Sequence, residues 1–182
     1  MFLYDMGKVV EIGITDTKGG RIKKVSVVDA FKGKGILNDR KFRENNDKES
    51  QITLIEIENI KHFNNISKTN VPSVDFRRNI ITKDIRLNEF VDKEFYVGNV
   101  KLKGHDLWRP CKYLQEKLKQ NNFIKEFLVG NVKLRAHDLC RPCKYLQEKL
   151  KQNNFIKEFL QKGGLRCEIL TDGKINVGDI IK

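Results

Sequence analysis

The chain has 182 residues, of which 39% are hydrophobic and 33% are charged, and its formal net charge is +12. This length suits one domain with a single core, and no apolar run approaches the roughly 20 residues that a membrane-spanning helix needs. The first residues, MFLYDMGKVVEIG, lack the basic, apolar and small-residue regions of a signal peptide, so we expect a cytoplasmic protein that does not enter a membrane.

The first half of the chain predicts short β-strands. Residues 8–14 (KVVEIGI) and 23–31 (KKVSVVDAF) mix β-branched residues with alternating polarity, and Gly19 and Gly20 supply a turn between them. Residues 31–50 are polar, charged and glycine-bearing. They predict a long exposed loop, and loops of that length are often functional.

The middle of the chain predicts a strand and a helix, followed by more strands. Residues 51–63 begin with a strand pattern and then place apolar residues near one helical face. After a polar linker, the apolar sequence NIIT at 79–82 predicts a short strand. Residues 93–102 predict two strands joined by a turn at the Gly-Asn dipeptide.

Residues 97–128 recur almost unchanged as residues 129–160. The copies differ at three positions, which are Lys103/Arg135, Gly104/Ala136 and Trp108/Cys140. In each copy, RPCKYLQEKLKQNN begins with a proline near the expected start of a helix, and FIKEFL predicts a further helical turn or two. We interpret the repeat as an in-frame duplication within a single domain spanning 1–182. A solenoid would require three or more units.

Either copy can connect the upstream strands to a C-terminal hairpin formed by GGLRCEIL and INVGDIIK. These elements predict a mostly β (α+β) domain, a closed or nearly closed β-barrel with a few short helices. Extruding the other copy as a loop costs on the order of 3 kcal/mol. We expect the extruded copy to pack on the barrel, or to mediate a homodimer or domain swap.

The positive charge alone does not indicate nucleic-acid binding. Each copy of the repeat carries seven Lys or Arg and three acidic residues, so one copy accounts for +4 of the total. The basic residues alternate with acidic ones, without the basic stripe or aromatic platform typical of nucleic-acid-binding surfaces. Nucleic acid is therefore a disfavoured partner, whereas phosphates and anionic cofactors remain suitable ligands.

Cys143 is the main candidate for chemistry. It follows Pro142 in the first turn of a predicted helix and lies between Arg141 and Lys144. The unpaired N–H groups at a helix start and the neighbouring cations favour a thiolate. Such a cysteine is a nucleophile, a persulfide carrier or a soft-metal ligand, and the alternative is a small buried core residue. Cys111 has the same sequence context in the first copy.

Cys140 adds a second thiol close to Cys143. The resulting Cys-x-x-Cys unit suits disulfide exchange or metal binding. It is a weak indication of zinc, because a structural zinc site normally needs four ligands and no second pair has the usual spacing. Without a leader sequence, free thiols, a metal site or redox chemistry are favoured over structural disulfides. Because it keeps Cys140 beside Cys143, we favour the second copy as the functional one.

Two further groups of residues suit anion recognition. Arg77, Arg78 and Asn79 precede a predicted strand, where adjacent guanidinium groups can bind phosphate or carboxylate. The alternative is a solvated strand end. Asp39 and Arg40 either line a site or form a surface salt bridge.

Taken in chain order, these segments resemble a MOSC domain, the family named after the C-terminal domain of molybdenum cofactor sulfurase. The matching segments cover nearly the whole chain in the family's order, and their series is more specific than any one of them. They are NDRK at 38–41, SQITLIEIENI at 50–60, FRRNIIT at 76–82, YVGNVKL at 96–102, CRPC at 140–143 and GKINVGDII at 173–181.

The resemblance implies a barrel-like fold and a functional thiol in the "PC" motif. That thiol maps to Cys143, with Cys111 as its duplicate, and it carries sulfur as a persulfide or binds the molybdenum of a pterin cofactor. The implied cofactor contacts are Asp39, Arg40, Arg77, Asn79 and Arg141. Two loop positions depart from the family's pattern, since Asn38 replaces a glycine and Lys41 replaces a histidine.

The function implied by the resemblance is that of a sulfur-carrier or molybdenum-cofactor-binding domain. Its partners would be a sulfur donor, such as a cysteine desulfurase, and an acceptor protein or cofactor. One alternative is a molybdenum-cofactor-dependent reductase of N-hydroxylated compounds with an external electron donor. Another is a non-catalytic variant in which the duplication has compromised the site.

Overall fold

The computed structural model describes residues 6–107 and 162–182, together with the backbone of residues 126–129 and 132–135. The strands are β1 (Gly7–Ile14), β2 (Lys23–Val25), β3 (Val27–Phe31), β4 (Gly35–Ile36), β5 (Ile52–Glu56), β6 (Ile80–Lys83), β7 (Glu94–Val97), β8 (Val100–Leu107), β9 (Glu126–Val129), β10 (Val132–Arg135), β11 (Leu165–Ile169), β12 (Gly173–Asn176) and β13 (Ile180–Ile181). The helices are α1 (Ile57–Ser67) and the 3₁₀ helices Lys48–Ser50, Ser73–Phe76 and Leu87–Phe90.

Seven strands close a mixed β-barrel. Around the barrel they follow the order β1, β13, β7, β8, β11, β5 and β6, and β6 pairs with β1 to complete the ring. Neighbouring strands are antiparallel except β5 and β6, which are parallel. The prediction of a mostly β, closed barrel is confirmed.

Several strands of the barrel alternate between buried and more exposed residues. In β8, Val100, Leu102 and Gly104 are buried, whereas the residues between them are partly exposed. α1 makes the connection from β5 to its parallel neighbour β6 and buries Ile60 and Phe63. Neither α1 nor any other helix in the described part of the chain is long and apolar enough to span a membrane.

The exposed loop predicted for residues 31–50 is only partly correct. β4 lies within it and joins β3 and β12 in a three-stranded sheet. Ile36, Asp39 and Asn46 are buried. The Asn46 side-chain amide donates to the backbone carbonyls of Lys34 and Lys41, so internal hydrogen bonds help this polar segment to fold compactly.

The repeated sequence forms two hairpins with the same register. In the barrel hairpin β7–β8, Val97 faces Val100, and in the separate hairpin β9–β10, Val129 faces Val132. The helical turn predicted for FIKEFL is therefore wrong in the first copy, because β9 includes its last three residues. β9 crosses the copy boundary and pairs with β10 in the register that also joins β7 and β8. The helices predicted for RPCKYLQEKLKQNN lie outside the described residues.

The first copy of the repeat contributes β8 to the barrel. β8 ends at Leu107, which faces Leu165 at the beginning of β11. A strand of the repeat and a strand that follows it are therefore paired in the barrel. Residues 108–164 connect two strands that are paired with each other.

Candidate functional site

A cavity of about 480 Å³ lies beside β1 and β5, and the polypeptide before β6 also lines it. Its lining includes five basic side chains and one acidic side chain. These are Lys18, Arg40, Lys41, Arg77, Arg78 and Asp39. The volume falls within the range of about 300–1,000 Å³ that is typical of small-molecule pockets.

The only carboxylate among these lining residues, Asp39, is engaged by hydrogen bonds within the protein. It accepts bonds from the backbone N–H groups of Thr15 at 3.3 Å and Lys41 at 3.1 Å, and from Asn79 Nδ2 at 3.3 Å. Asp39 is buried, whereas Arg40 is exposed. The alternative of a surface salt bridge between Asp39 and Arg40 is therefore wrong, and Asp39 stabilises the loop conformation instead.

Asn79 connects three parts of the cavity wall. Its Oδ1 accepts hydrogen bonds from Thr53 N at 3.2 Å and Thr53 Oγ1 at 2.8 Å. Its Nδ2 donates to Asp39 and, at 3.4 Å, to the carbonyl oxygen of Gly13. Both ends of the side-chain amide are thus used to hold β1, β5 and the Asp39 loop together.

Arg77 and Arg78 have different environments. Arg77 is partly exposed, adopts a left-handed backbone conformation (φ 60°), and donates through one terminal nitrogen to the Gly20 carbonyl at 2.8 Å. Arg78 is only 5% exposed and donates to the carbonyls of Gly163 at 2.8 Å and Phe76 at 3.1 Å. The alternative of a solvated strand end is therefore wrong for Arg78. Its side chain is buried and binds the backbone at Gly163, just after the repeat.

Lys41 is partly buried next to other cations. Its pKa is lowered to about 8, chiefly by burial and also by the positive charges of Arg40 and Arg78, while Asp39 acts in the opposite direction. Within the described residues, the Lys41 ammonium has no hydrogen bond or ion pair of its own. An anion in the cavity would supply the missing counter-charge.

Asn38 stands where the pattern of the MOSC family has a glycine, and its backbone conformation explains why asparagine is tolerated there. Its φ of 63° lies in the left-handed region, where glycine is favoured and asparagine is the best-tolerated alternative. Asn38 can therefore preserve the backbone turn that a glycine would make. The substitution at Lys41, by contrast, changes the chemistry of the cavity.

The structure thus gathers Asp39, Arg40, Arg77 and Asn79 around one cavity, and their role in cofactor binding stays a prediction. Cys111, Cys143 and Arg141, together with Cys140, lie outside the described residues. Sequence reasoning missed the cavity residues Thr15, Lys18 and Thr53. Thr15 and Lys18 lie outside the segments that resemble the family, so no sequence signal could have identified them, whereas Thr53 lies within the segment SQITLIEIENI.

Cys167 is a structural residue of the barrel core. It is completely buried, and burial, with a smaller contribution from the charge of Asp106, raises the pKa of its thiol well above the usual value. Such a thiol is unreactive. No group of His, Cys, Asp or Glu within the described ranges could hold a metal ion.

Comparison with known proteins identifies the fold. No protein-family model and no curated protein matches the chain. Among solved structures, the YuaD protein from Bacillus subtilis is similar with a TM-score of 0.66 and 16% identity, over 97% of this chain and 94% of that one. YiiM from Geobacillus stearothermophilus is similar with a TM-score of 0.61 and 13% identity, over 96% and 73% of the two chains.

A third similar structure is YiiM from Escherichia coli, with a TM-score of 0.57 and 11% identity, over 96% of this chain and 68% of that one. YuaD and YiiM are MOSC-family proteins, so this chain has a barrel of the MOSC type. At these low identities the likeness concerns the fold.

Proposed function

We propose that this MOSC-type protein binds an anionic cofactor of the molybdenum–pterin class and carries sulfur as a persulfide, or presents a thiolate to the metal. The thiol would be Cys143 or its duplicate, Cys111. The observation that carries the proposal is the cavity, in which five basic side chains face a single carboxylate already bonded to the protein. A small anionic ligand would balance this charge.

The residues present fit the anionic part of such a cofactor. Lys18, Arg40, Lys41 and Arg77 are the cations available to hold a phosphate group, and the Lys41 ammonium has no hydrogen bond or ion pair within the described residues. When bound, the cofactor would supply a redox-active metal able to accept a thiolate ligand. Asn79 would act as a positioning residue, because both ends of its amide are occupied by the protein.

The sulfur-carrier step needs one thiolate and a donor. The thiolate would attack the terminal sulfur of a persulfide on the donor protein, such as a cysteine desulfurase. The sulfur–sulfur bond of the donor breaks, the donor leaves as a thiolate, and a persulfide remains on this chain. The reverse exchange would deliver the sulfur to an acceptor protein or cofactor.

The attachment of the repeat supports a link between the thiols and the cavity. Arg78 lines the cavity and binds the carbonyl oxygen of Gly163, where the chain returns from the repeat. Cys111 and Cys143 both belong to the stretch that ends there. The stretch that carries the thiols is thus anchored to a residue of the cavity wall.

The first test measures cyanide-labile sulfur and molybdenum on freshly purified protein and on the variants Cys111→Ser and Cys143→Ser. A carrier should release sulfur with cyanide, and one of the two variants should lose it. Stoichiometric molybdenum without labile sulfur would favour the reductase of N-hydroxylated compounds. Absence of both, with neither thiol reacting in a thiol titration, would contradict the proposal and favour a non-catalytic variant.

The second test addresses the cavity by itself, with inorganic phosphate as the probe in titration calorimetry. Arg77→Met should weaken phosphate binding by about tenfold or more, since a charge-assisted hydrogen bond is worth about 1.5–3 kcal/mol. Arg43→Met is the matched control, because Arg43 forms an exposed ion pair with Asp47 at 2.5 Å and does not line the cavity. Equal losses in both variants would indicate a general effect of net charge and no specific site.

A further inference from the structure

Two hairpins of nearly identical sequence compete for one position in the barrel. β7–β8 pairs with β13 and β11, whereas β9–β10 forms a two-stranded sheet with the same internal register. An isolated two-stranded hairpin is at best marginally stable in water. Some feature of the sequence must therefore favour the first hairpin in the barrel.

The barrel position demands a glycine near the end of its second strand. Gly104 is buried, donates its N–H to the Lys93 carbonyl and accepts a hydrogen bond from Asp92 N, both at 2.9 Å. A Cβ atom on this residue would lie 3.0 Å from the Phe90 carbonyl carbon and closer still to the Phe90 oxygen. It would also lie 3.2 Å from Leu165 Cδ2.

The obstructing backbone is held in place from several directions. Leu87 is fully buried, and its N–H donates to Glu56 Oε1 at 2.9 Å. The ring of Phe90 packs on Phe95 with centroids 4.8 Å apart, and the Phe90 carbonyl accepts the N–H of Lys93. A shift of the Phe90 oxygen would disturb these contacts, so the barrel cannot easily make room for a Cβ atom.

The second copy carries an alanine at the equivalent position, Ala136. We infer that the difference between Gly104 and Ala136 decides which hairpin completes the barrel, and that it excludes the second one. The obstacle is a backbone carbonyl. It therefore persists when the second hairpin enters the barrel beside Phe90. The same contact opposes a domain swap in which the second hairpin enters the barrel of another chain.

The other two differences discriminate less. Lys103 is partly exposed and faces Glu94 and Glu168, a position that the arginine of the second copy can also occupy. Trp108 and Cys140 come after the described strands β8 and β10 in the sequence. Loop closure hardly separates the two arrangements either, because its free energy grows only with the logarithm of loop length.

This inference concerns the fold and does not depend on the proposed function. It does refine that function, because the "PC" motif that follows the barrel strand in the chain is the one containing Cys111. That refinement rests on the proposed function, and the cyanide assay on the two serine variants tests it separately. Loss of labile sulfur in Cys143→Ser alone would overturn the refinement and leave the choice of hairpin untouched.

Cross-strand disulfides in the full-length chain would test the choice of hairpin. Glu168 faces Lys103 across the β8–β11 pair, and the equivalent of Lys103 in the second copy is Arg135. One protein carries Glu168→Cys with Lys103→Cys, and the other carries Glu168→Cys with Arg135→Cys. In both, Cys111, Cys140 and Cys143 are replaced by serine. Peptide mapping after mild oxidation measures each disulfide.

The Lys103→Cys protein should form its disulfide at least about tenfold more efficiently than the Arg135→Cys protein, because overpacking disfavours the second hairpin. Adding Ala136→Gly should raise the yield of the second disulfide several-fold, and this variant removes the obstacle without creating a new one. Equal yields without that change would overturn the inference. An Arg135→Cys yield that stays low with Ala136→Gly would overturn it as well.

Discussion

Lys41 should make the folded protein less stable at neutral pH than the same fold without its charge. Its pKa is lowered from 10.5 to about 8, so the folded state binds fewer protons than the unfolded state between these values. The free energy of unfolding therefore rises with pH from about 8 to about 10.5. The difference between the two pKa values corresponds to about 3 kcal/mol, which partial exposure reduces to about 1–2 kcal/mol.

The assay is urea denaturation of the wild type and of Lys41→Met at about pH 7 and about pH 10.5. At the lower pH the variant should gain about 1–2 kcal/mol relative to wild type, and this gain should vanish at the higher pH. Comparing the two pH values removes the constant effect of the methionine side chain. Sulfate at neutral pH should stabilise the wild type more than the variant, because it supplies a counter-charge.

Lys18→Met is the matched control, since Lys18 also lines the cavity but is exposed. Its effect should stay within about 0.5 kcal/mol at both pH values. A gain for Lys41→Met that is independent of pH would refute the reasoning. An equal gain for Lys18→Met would do so too, because it would indicate general charge repulsion.

Three further predictions concern single residues. Asn79→Leu should lower the free energy of unfolding by about 2–3 kcal/mol, because it removes the bonds to Thr53 and Asp39, whereas the exposed control Asn65→Ala should change it by less than about 0.5 kcal/mol in the same denaturation assay. Asn38→Val should cost about 1–2 kcal/mol because φ is 63°, and Asn38→Gly should be nearly neutral; equal melting temperatures for both would contradict this. Cys167 should resist thiol reagents in the native protein and react only after unfolding, as peptide mapping of labelled cysteines would show.

The barrel could be predicted from the sequence because its strands carry local signals. The alternation in residues 93–102 and the Gly-Asn turn determine the β7–β8 hairpin without reference to the rest of the chain. The same local logic failed at FIKEFL. A short apolar segment fits both a helical turn and a strand, and pairing with β10 decided the outcome in favour of β9.

The cavity was harder to predict because its wall is built from distant segments. Thr15, Thr53 and Asn79 meet only when β1, β5 and β6 have paired, and no spacing in the sequence encodes that encounter. The burial of Asp39 was missed for a related reason. A charged residue in a polar segment suggests exposure, but its hydrogen bonds to Thr15 and Lys41 become visible only in the folded loop.

The pairing of Leu107 with Leu165 also bears on how this gene can change with time. Nearly identical tandem sequences invite unequal recombination, which can delete either 32-residue unit. Either shortened chain would keep one copy of the hairpin upstream of β11. The two shortened chains would differ in the residue that packs against the Phe90 carbonyl, which would be a glycine in one and an alanine in the other. We therefore expect the two deletions to differ in the stability of the folded barrel.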